Sequence, residues 1–186
     1  MKGLVAICAL AMAATLCSNY VCASNTPTYL EARNSYHAAY STTFCVNDKP
    51  RRVNITQAAK SINGIVVNPG EEFSFNRAVG PTIEKRGYLP GRIFINGKDA
   101  IGVGGGVCQV SSTLFCAAIN MGLKTTERHA HSKPVYYVPK GYDAATSYGG
   151  KDYKFVNNKH FPVIIETFVD GDTLTVAIAK YYSELN

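Results

Sequence analysis

Beyond its first two dozen residues the chain has no apolar tract close to the roughly 20 residues that a bilayer-spanning helix needs. It also has no run of basic residues, no zinc-finger spacing and no RNP signature, so nucleic acid is not an expected partner. Three glycines stand in a row at 104–106, but no Gly-Lys-Ser/Thr follows them, which excludes a Walker A phosphate loop. No internal repeat is visible. Charged residues make up only 17% and apolar residues 46% of the 186, a globular rather than a disordered balance. That length allows one domain, with room for a small extension. The net charge of +6 comes from scattered lysines and arginines. It would draw an exported protein toward an anionic wall polymer or membrane surface.

The N-terminus reads as an address. Met1-Lys2 is a minimal positive region, and Leu4 to Leu16 is an apolar run of signal-peptide length. Val21-Cys22-Ala23 puts small residues where signal peptidase would cut before Ser24. The expected organisation is a signal peptide over 1–23, a lead-in over 24–40 and a single domain over 41–186. No transmembrane anchor is then expected after cleavage, and the chain is read as secreted and associated with the cell wall. Cys8, Cys17 and Cys22 would leave with the signal, while Cys45, Cys108 and Cys116 remain.

Along the rest of the chain, Ser41 to Val46 reads as a strand by its β-branched and aromatic content. Asn54 to Asn63 reads as a helix capped by Asn54 and stopped by Gly64. Ile65 to Val67 is a short strand ended by the turn Asn68-Pro69-Gly70. Arg92 to Ile95 and Lys98 to Ile101 flank Asn96-Gly97, a strong hairpin signal. Val107 to Met121 reads as a helix that begins at the glycine loop and ends at Gly122. Five further strands are expected at 124–131, 135–138, 153–156, 163–169 and 174–179, the last two joined by Asp170-Gly171-Asp172. This order predicts an α+β fold, a mainly antiparallel sheet packed on a central helix that starts at a Gly-rich loop with a cysteine.

The segment Gly104 to Thr113 (GGGVCQVSST) is the most informative. Its glycines permit sharp turns and close approach of another chain, and Gly105 and Gly106 could admit a substrate backbone. Cys108 falls in the first turn of the expected helix, where orphan N–H groups and the helix dipole favour a thiolate. The same N–H groups, near Gln109 and Val110, could hold an oxyanion. A buried cysteine acting as a small hydrophobe is the bland alternative. Downstream, His129 and His131 would share a face of an extended segment. One of them could be the base for Cys108. They could also be two structural histidines, or join Cys108 in an open three-ligand zinc site. His131, nearer the strand end and beside Ser132, is preferred over His129. Asp143 and Asp152 are the candidates to orient the imidazole.

The runs Asn68 to Asn76 (NPGEEFSFN), Val79-Gly80-Pro81, Gly102 to Leu114 (GVGGGVCQVSSTL), Glu127 to Ser132 (ERHAHS) and Tyr137 to Asp143 closely resemble the VanW domain family. Asp152 to Phe155, Asn157-Asn158 and Pro162 to Glu166 fit the same pattern, so the resemblance covers roughly 41–180. It implies a bacterial protein, exported or membrane-anchored, of a family named for a gene near glycopeptide-resistance clusters. Cys108, Gln109, Ser111, Ser112, Thr113, Arg128, His129, His131 and Asp143 fall on motif positions, and Gly105, Gly106, Gln109, Ser111, Ser112 and Arg128 are taken as the substrate-binding set. Peptidoglycan, or a wall-associated peptide or glycan, is the expected partner, and no cofactor is expected.

Two function classes follow. One is a thiol-dependent acyl-transfer enzyme with Cys108 as nucleophile, a peptidase or amidase if water accepts the acyl group and a transpeptidase if an amine does. The other is a non-catalytic envelope-binding module lined by tyrosine and phenylalanine. The odd count of remaining cysteines suggests one disulfide and one free thiol, with three buried reduced cysteines as the bland alternative. Cys108 and Cys116 would lie about 12 Å apart along one helix, beyond the roughly 7 Å limit for a bridge. Cys45 and Cys116 lie off the family pattern, and pairing them leaves Cys108 free, so Cys45–Cys116 is the expected bridge.

Overall fold

The computed structural model describes residues 37–95 and 98–182, so the expected signal peptide and the Asn96-Gly97 turn lie outside the described residues. The elements in chain order are β1 (His37–Thr43), α1 (Lys49–Ile62), β2 (Val66–Val67), β3 (Glu72–Ser74), α2 (Phe75–Val79), β4 (Pro90–Ile95), β5 (Lys98–Val103), α3 (Val107–Asn120), β6 (Lys124–Glu127), β7 (Lys154–Val156), β8 (Val163–Asp170) and β9 (Thr173–Lys180). The fold is α+β, and every strand pairing among the described residues is antiparallel.

The largest sheet has the order β1-β9-β8-β2. Its centre is the β8–β9 hairpin, in register from Val163 opposite Lys180 to Asp170 opposite Thr173. The β-branched residues of these strands supply the fully buried Val163, Ile165, Val176 and Ile178. Against this sheet pack α1, through Ile55, Ala58, Ala59 and Ile62, and α3, through Val110, Leu114 and Ala117. A second sheet, β3-β7-β6, closes the core on the far side of α3. There Phe73 stacks on Phe155 with ring centroids 5.0 Å apart, and Phe115 of α3 meets Tyr153 edge-on at 5.4 Å.

Several local expectations change. β1 begins at His37, inside the segment read as a lead-in, and it ends before Cys45. α1 begins five residues before the expected Asn54 cap. Asp48 is the cap, accepting from the Arg51 N–H, and Pro50 sits in the first turn where its missing N–H costs nothing. Asn54 is instead buried at the junction of three segments. Its amide donates to the carbonyls of Leu89 and Gly105 at 2.9 Å each, and its Oδ1 accepts from Leu89 N–H at 2.7 Å. It thereby ties the glycine loop to α1. β6 stops at Glu127, and residues 135–138 form no strand. Pro134 and Pro139, on either side of that stretch, have no N–H to give a ladder.

The expected Cys45–Cys116 bridge is not formed, and Cys45, Cys108 and Cys116 are all free thiols. α3 runs back along β1, with Gln109 bonded to the Thr43 carbonyl at one end and Asn120 to the Ala39 carbonyl at the other. Cys45 therefore lies past the N-terminal end of α3, exposed. Cys116 is buried about 10 Å further up the helix axis. That separation exceeds what a disulfide spans.

Candidate functional site

Cys108 stands in the first turn of α3, reached through a loop that only glycine can build. Gly106, the N-cap, has φ 108°, and a Cβ there would sit 2.9 Å from the Arg51 side chain. A Cβ on Gly105 would lie 2.6 Å from the Arg92 carbonyl oxygen. The space opposite both glycines is thus filled by α1 and β4 of this chain rather than left for a substrate backbone.

The rest of the site comes from the long loop between β6 and β7, which folds back over the start of α3. Ser111 and Ser112, both buried, lash it down. Ser111 donates to the Ala144 carbonyl at 2.7 Å, and Ser112 accepts from the Ala144 N–H at 2.9 Å. Two residues on, Thr146 brackets the thiol: its N–H donates to Cys108 Sγ and its carbonyl accepts from it, each at 3.4 Å. The ring of His131 lies near enough to the same sulfur for each to shift the other's titration. On its other side, His131 Nδ1 meets Asp143 Oδ2 at 2.7 Å, and the His131 N–H donates to that same oxygen at 2.6 Å. One carboxylate oxygen thus fixes both the backbone and the Nδ1 side of the His131 ring.

The electrostatics follow from this chain of contacts. Burial pushes the Cys108 thiol up, but the hydrogen bond from His131, the Thr146 N–H and the imidazolium charge outweigh it, and the thiol lies below its ordinary value. Burial pulls His131 down, yet the thiolate and then Asp143 hold its pKa above the usual imidazole value. Asp143 loses by burial and gains more from the His131 amide and ring, so its carboxyl is held low. All three shifts favour a thiolate–imidazolium pair backed by a carboxylate. Cys116 shows the contrast. With burial as the largest influence and Asp143 nearby, its thiol is pushed up to about 12.

Other candidates are placed elsewhere. His129 turns to Glu127 Oε1 at 2.9 Å and is not brought to Cys108. β6 ends before either histidine, so the shared face expected of a strand does not arise. Asp152 is occupied with Ser74 Oγ at 2.6 Å and the Asn76 N–H at 2.8 Å, where it holds the second sheet to α2 rather than orienting an imidazole. Gln109 is buried; its amide donates to Thr42 and to the Thr43 carbonyl, and its oxygen accepts from Arg51 at 2.8 Å. Arg128 donates to the carbonyls of Gly141 and Asp143 and lies over the Phe115 ring. Gln109, Ser111, Ser112 and Arg128 thus shape the site through the chain itself. The zinc reading loses a ligand with His129, and no group of three or more His, Cys, Asp or Glu among the described residues could hold a metal.

Some residues carried no signal in the sequence. Thr146 is one. Tyr137 falls in one of the family motif runs, with no chemistry there to single it out; its ring lies 5.8 Å from the Arg51 guanidinium, and burial together with the Cys108 charge raises its pKa. Of the N–H groups in the first turn of α3, that of Val107 goes to the Gly104 carbonyl and that of Gln109 to the Gly106 carbonyl. The Gln109 N–H, expected to face an oxyanion, is therefore taken. The Cys108 N–H has no backbone acceptor outside the helix among the described residues.

The family model described as VanW like protein matches residues 50–179. The chain is 42% identical over 139 residues to a protein of Bacillus subtilis (strain 168) named uncharacterized protein YoaR, covering 75% of this chain and 46% of that protein. It is 36% identical over 110 residues to the vancomycin B-type resistance protein VanW of Enterococcus faecalis (strain ATCC 700802 / V583), covering 56% of this chain and 40% of that one. The chain therefore spans less than half the length of either relative. No solved structure matches it.

Proposed function

The chain belongs to the VanW family, and we propose that it is a thiol-dependent acyl-transfer enzyme of the cell envelope that acts on peptide bonds of the wall. The carrying observation is the loop that brings Thr146 onto the Cys108 thiol and Asp143 onto both the N–H and the Nδ1 of His131; the directions in which the thiol is drawn down and the imidazole up support it. Such an arrangement supplies both a nucleophile and an acid. The name of the Enterococcus relative, a vancomycin B-type resistance protein, and the signal-like N-terminus favour the envelope and a peptidoglycan substrate.

In the first step the Cys108 thiolate forms a bond to the substrate carbonyl carbon. The oxygen takes the electron pair and accepts the N–H of Cys108 at the positive end of α3. The carbon–nitrogen bond then breaks, and His131 Nε2–H gives its proton to the departing amine, leaving a thioester. In the second step His131, now neutral, takes a proton from water or from an acceptor amine, which attacks the thioester. The carbon–sulfur bond then breaks, releasing a carboxylic acid, which ionises, or a new amide, and the departing Cys108 thiolate is left beside His131, which holds the proton taken from the acceptor. Asp143 keeps Nδ1 protonated throughout.

The test is turnover of purified cross-linked muropeptides, followed by mass spectrometry. The wild-type chain is expected to cleave or exchange a peptide bond, and Cys108→Ala and His131→Ala to abolish it. Turnover that survives Cys108→Ala would overturn the reading.

A further inference from the structure

An open groove of about 520 Å³ lies beside the thiol site, lined by Asn76, Arg77, Gly80, Tyr148, Gly149, Gly150, Asp152 and Lys154. Cys108, His131 and Asp143 do not line it, but its wall continues the same loop. Thr146 holds the sulfur, and Tyr148, two residues on, stands at the groove, so the two backbone positions are at most about 7 Å apart.

The groove is fixed in shape. The Asn76 amide donates to the carbonyls of Ser147 and Lys151, at 3.0 and 2.9 Å, which pins the 147–151 turn to α2. Its cations are Arg77 and Lys154. Lys154 is already paired with Glu127 at 2.8 Å. Arg77 is exposed; its guanidinium donates to the Glu72 carbonyl and has no carboxylate partner among the described residues. The lining carboxylate, Asp152, is buried with its oxygens taken by Ser74, the Asn76 N–H and the Tyr153 N–H. Tyr148, which lines the same groove, is 60% exposed. A planar cation with donors to spare, in a groove shared with an aromatic ring, suits a carboxylate on a flexible chain.

We propose that this groove is the subsite for a carboxylate carried two to three residues from the bond that Cys108 attacks, so that the substrate is an anionic peptide bound through Arg77. This rests on Cys108 being the nucleophile.

Two peptidyl alkylators test it: iodoacetyl-Gly-Gly-Glu amide, which carries the side-chain carboxylate, and its neutral counterpart iodoacetyl-Gly-Gly-Gln amide. At low salt the glutamate probe is expected to alkylate Cys108 about fivefold or more faster than the glutamine probe. Arg77→Gln should equalise the two, Arg77→Lys should keep part of the difference, and plain iodoacetamide should react equally with all three proteins. The Arg77 side chain also donates to the Glu72 carbonyl, so an unchanged Tm in both variants is the check that the fold is intact. Equal rates for the two probes on the wild-type protein, or an advantage that persists in Arg77→Gln, would overturn the subsite. Slow plain iodoacetamide in every form would instead overturn the nucleophile on which it rests, so the two failures are told apart.

Discussion

Removing the His131 ring should disarm Cys108 without unfolding the protein. His131 contributes a hydrogen bond and a positive charge to the sulfur, and these two influences, with the Thr146 N–H, overcome the cost of burying a thiolate. In His131→Ala the burial cost remains and the largest compensation is gone, so the thiol pKa must rise. In the wild-type protein the imidazolium favours the charged form of the thiol, and its loss moves the thiol upward. The thiolate is the reacting species, so alkylation at pH 6.5 should slow by about tenfold or more. The sign follows from the charges: loss of the cation disfavours the anion, and the inflection of the rate profile moves to higher pH. His129→Ala, which removes a ring bonded to Glu127, should leave the profile in place. Asp143→Asn should give an intermediate shift, because it loosens the imidazole and lowers its basicity. The assay is the second-order rate of iodoacetamide reaction at Cys108, read by peptide mass spectrometry from pH 5 to 10. An unchanged profile in His131→Ala, or an equal shift in His129→Ala, would refute the reasoning.

Four other outcomes follow. Native labelling at pH 6.5 should modify Cys108 first, the exposed Cys45 next, and the buried Cys116, pushed up to about 12, only after unfolding; unreduced peptide maps should show no bridge. Asn54→Ala leaves the Leu89 and Gly105 backbone groups without their buried partner and should cost about 2–4 kcal/mol, read as a lower Tm. Gly105→Ala drives a Cβ into the Arg92 carbonyl, a backbone atom that cannot turn away, and should cost about 1–3 kcal/mol in denaturant unfolding. Glu127, bonded by Lys154 and His129, has its carboxyl held down to about 2. Because its folded value lies below the unfolded one, its stabilisation is present above about pH 4.3 and is lost as the pH falls toward 2. Being partly exposed, it is weak and screened by salt, so Glu127→Gln should flatten the acid limb only slightly.

The parts of the fold that were legible from sequence are those where local chemistry agrees with tertiary packing. The β8–β9 hairpin announces itself by β-branched strands around Asp170-Gly171-Asp172, and α3 by its glycine entry and Gly122 exit. α1 starts earlier than its sequence suggests, because Asn54 is a good cap by type but its amide is used across three segments. Asp48 followed by Pro50 was the local signal for the true start. The 128–153 loop was not legible, because its path is set by contacts with α3 rather than by periodicity. Ser111 and Ser112 grip Ala144, and Arg128 grips the carbonyls of Gly141 and Asp143. For the same reason Asp143 and Asp152 could not be separated as orienting groups. Both sit in turn-rich sequence, and only the loop's return path brings Asp143 to His131 while Asp152 stays with Ser74.

The most direct test of the central claim is the intact mass of the protein after brief exposure to cross-linked muropeptides and acid quench. The account predicts an acyl adduct confined to the peptide that contains Cys108, discharged by hydroxylamine and absent in Cys108→Ala. Peptide-bond turnover with the acyl group on no cysteine, or on Cys45 instead, would contradict it.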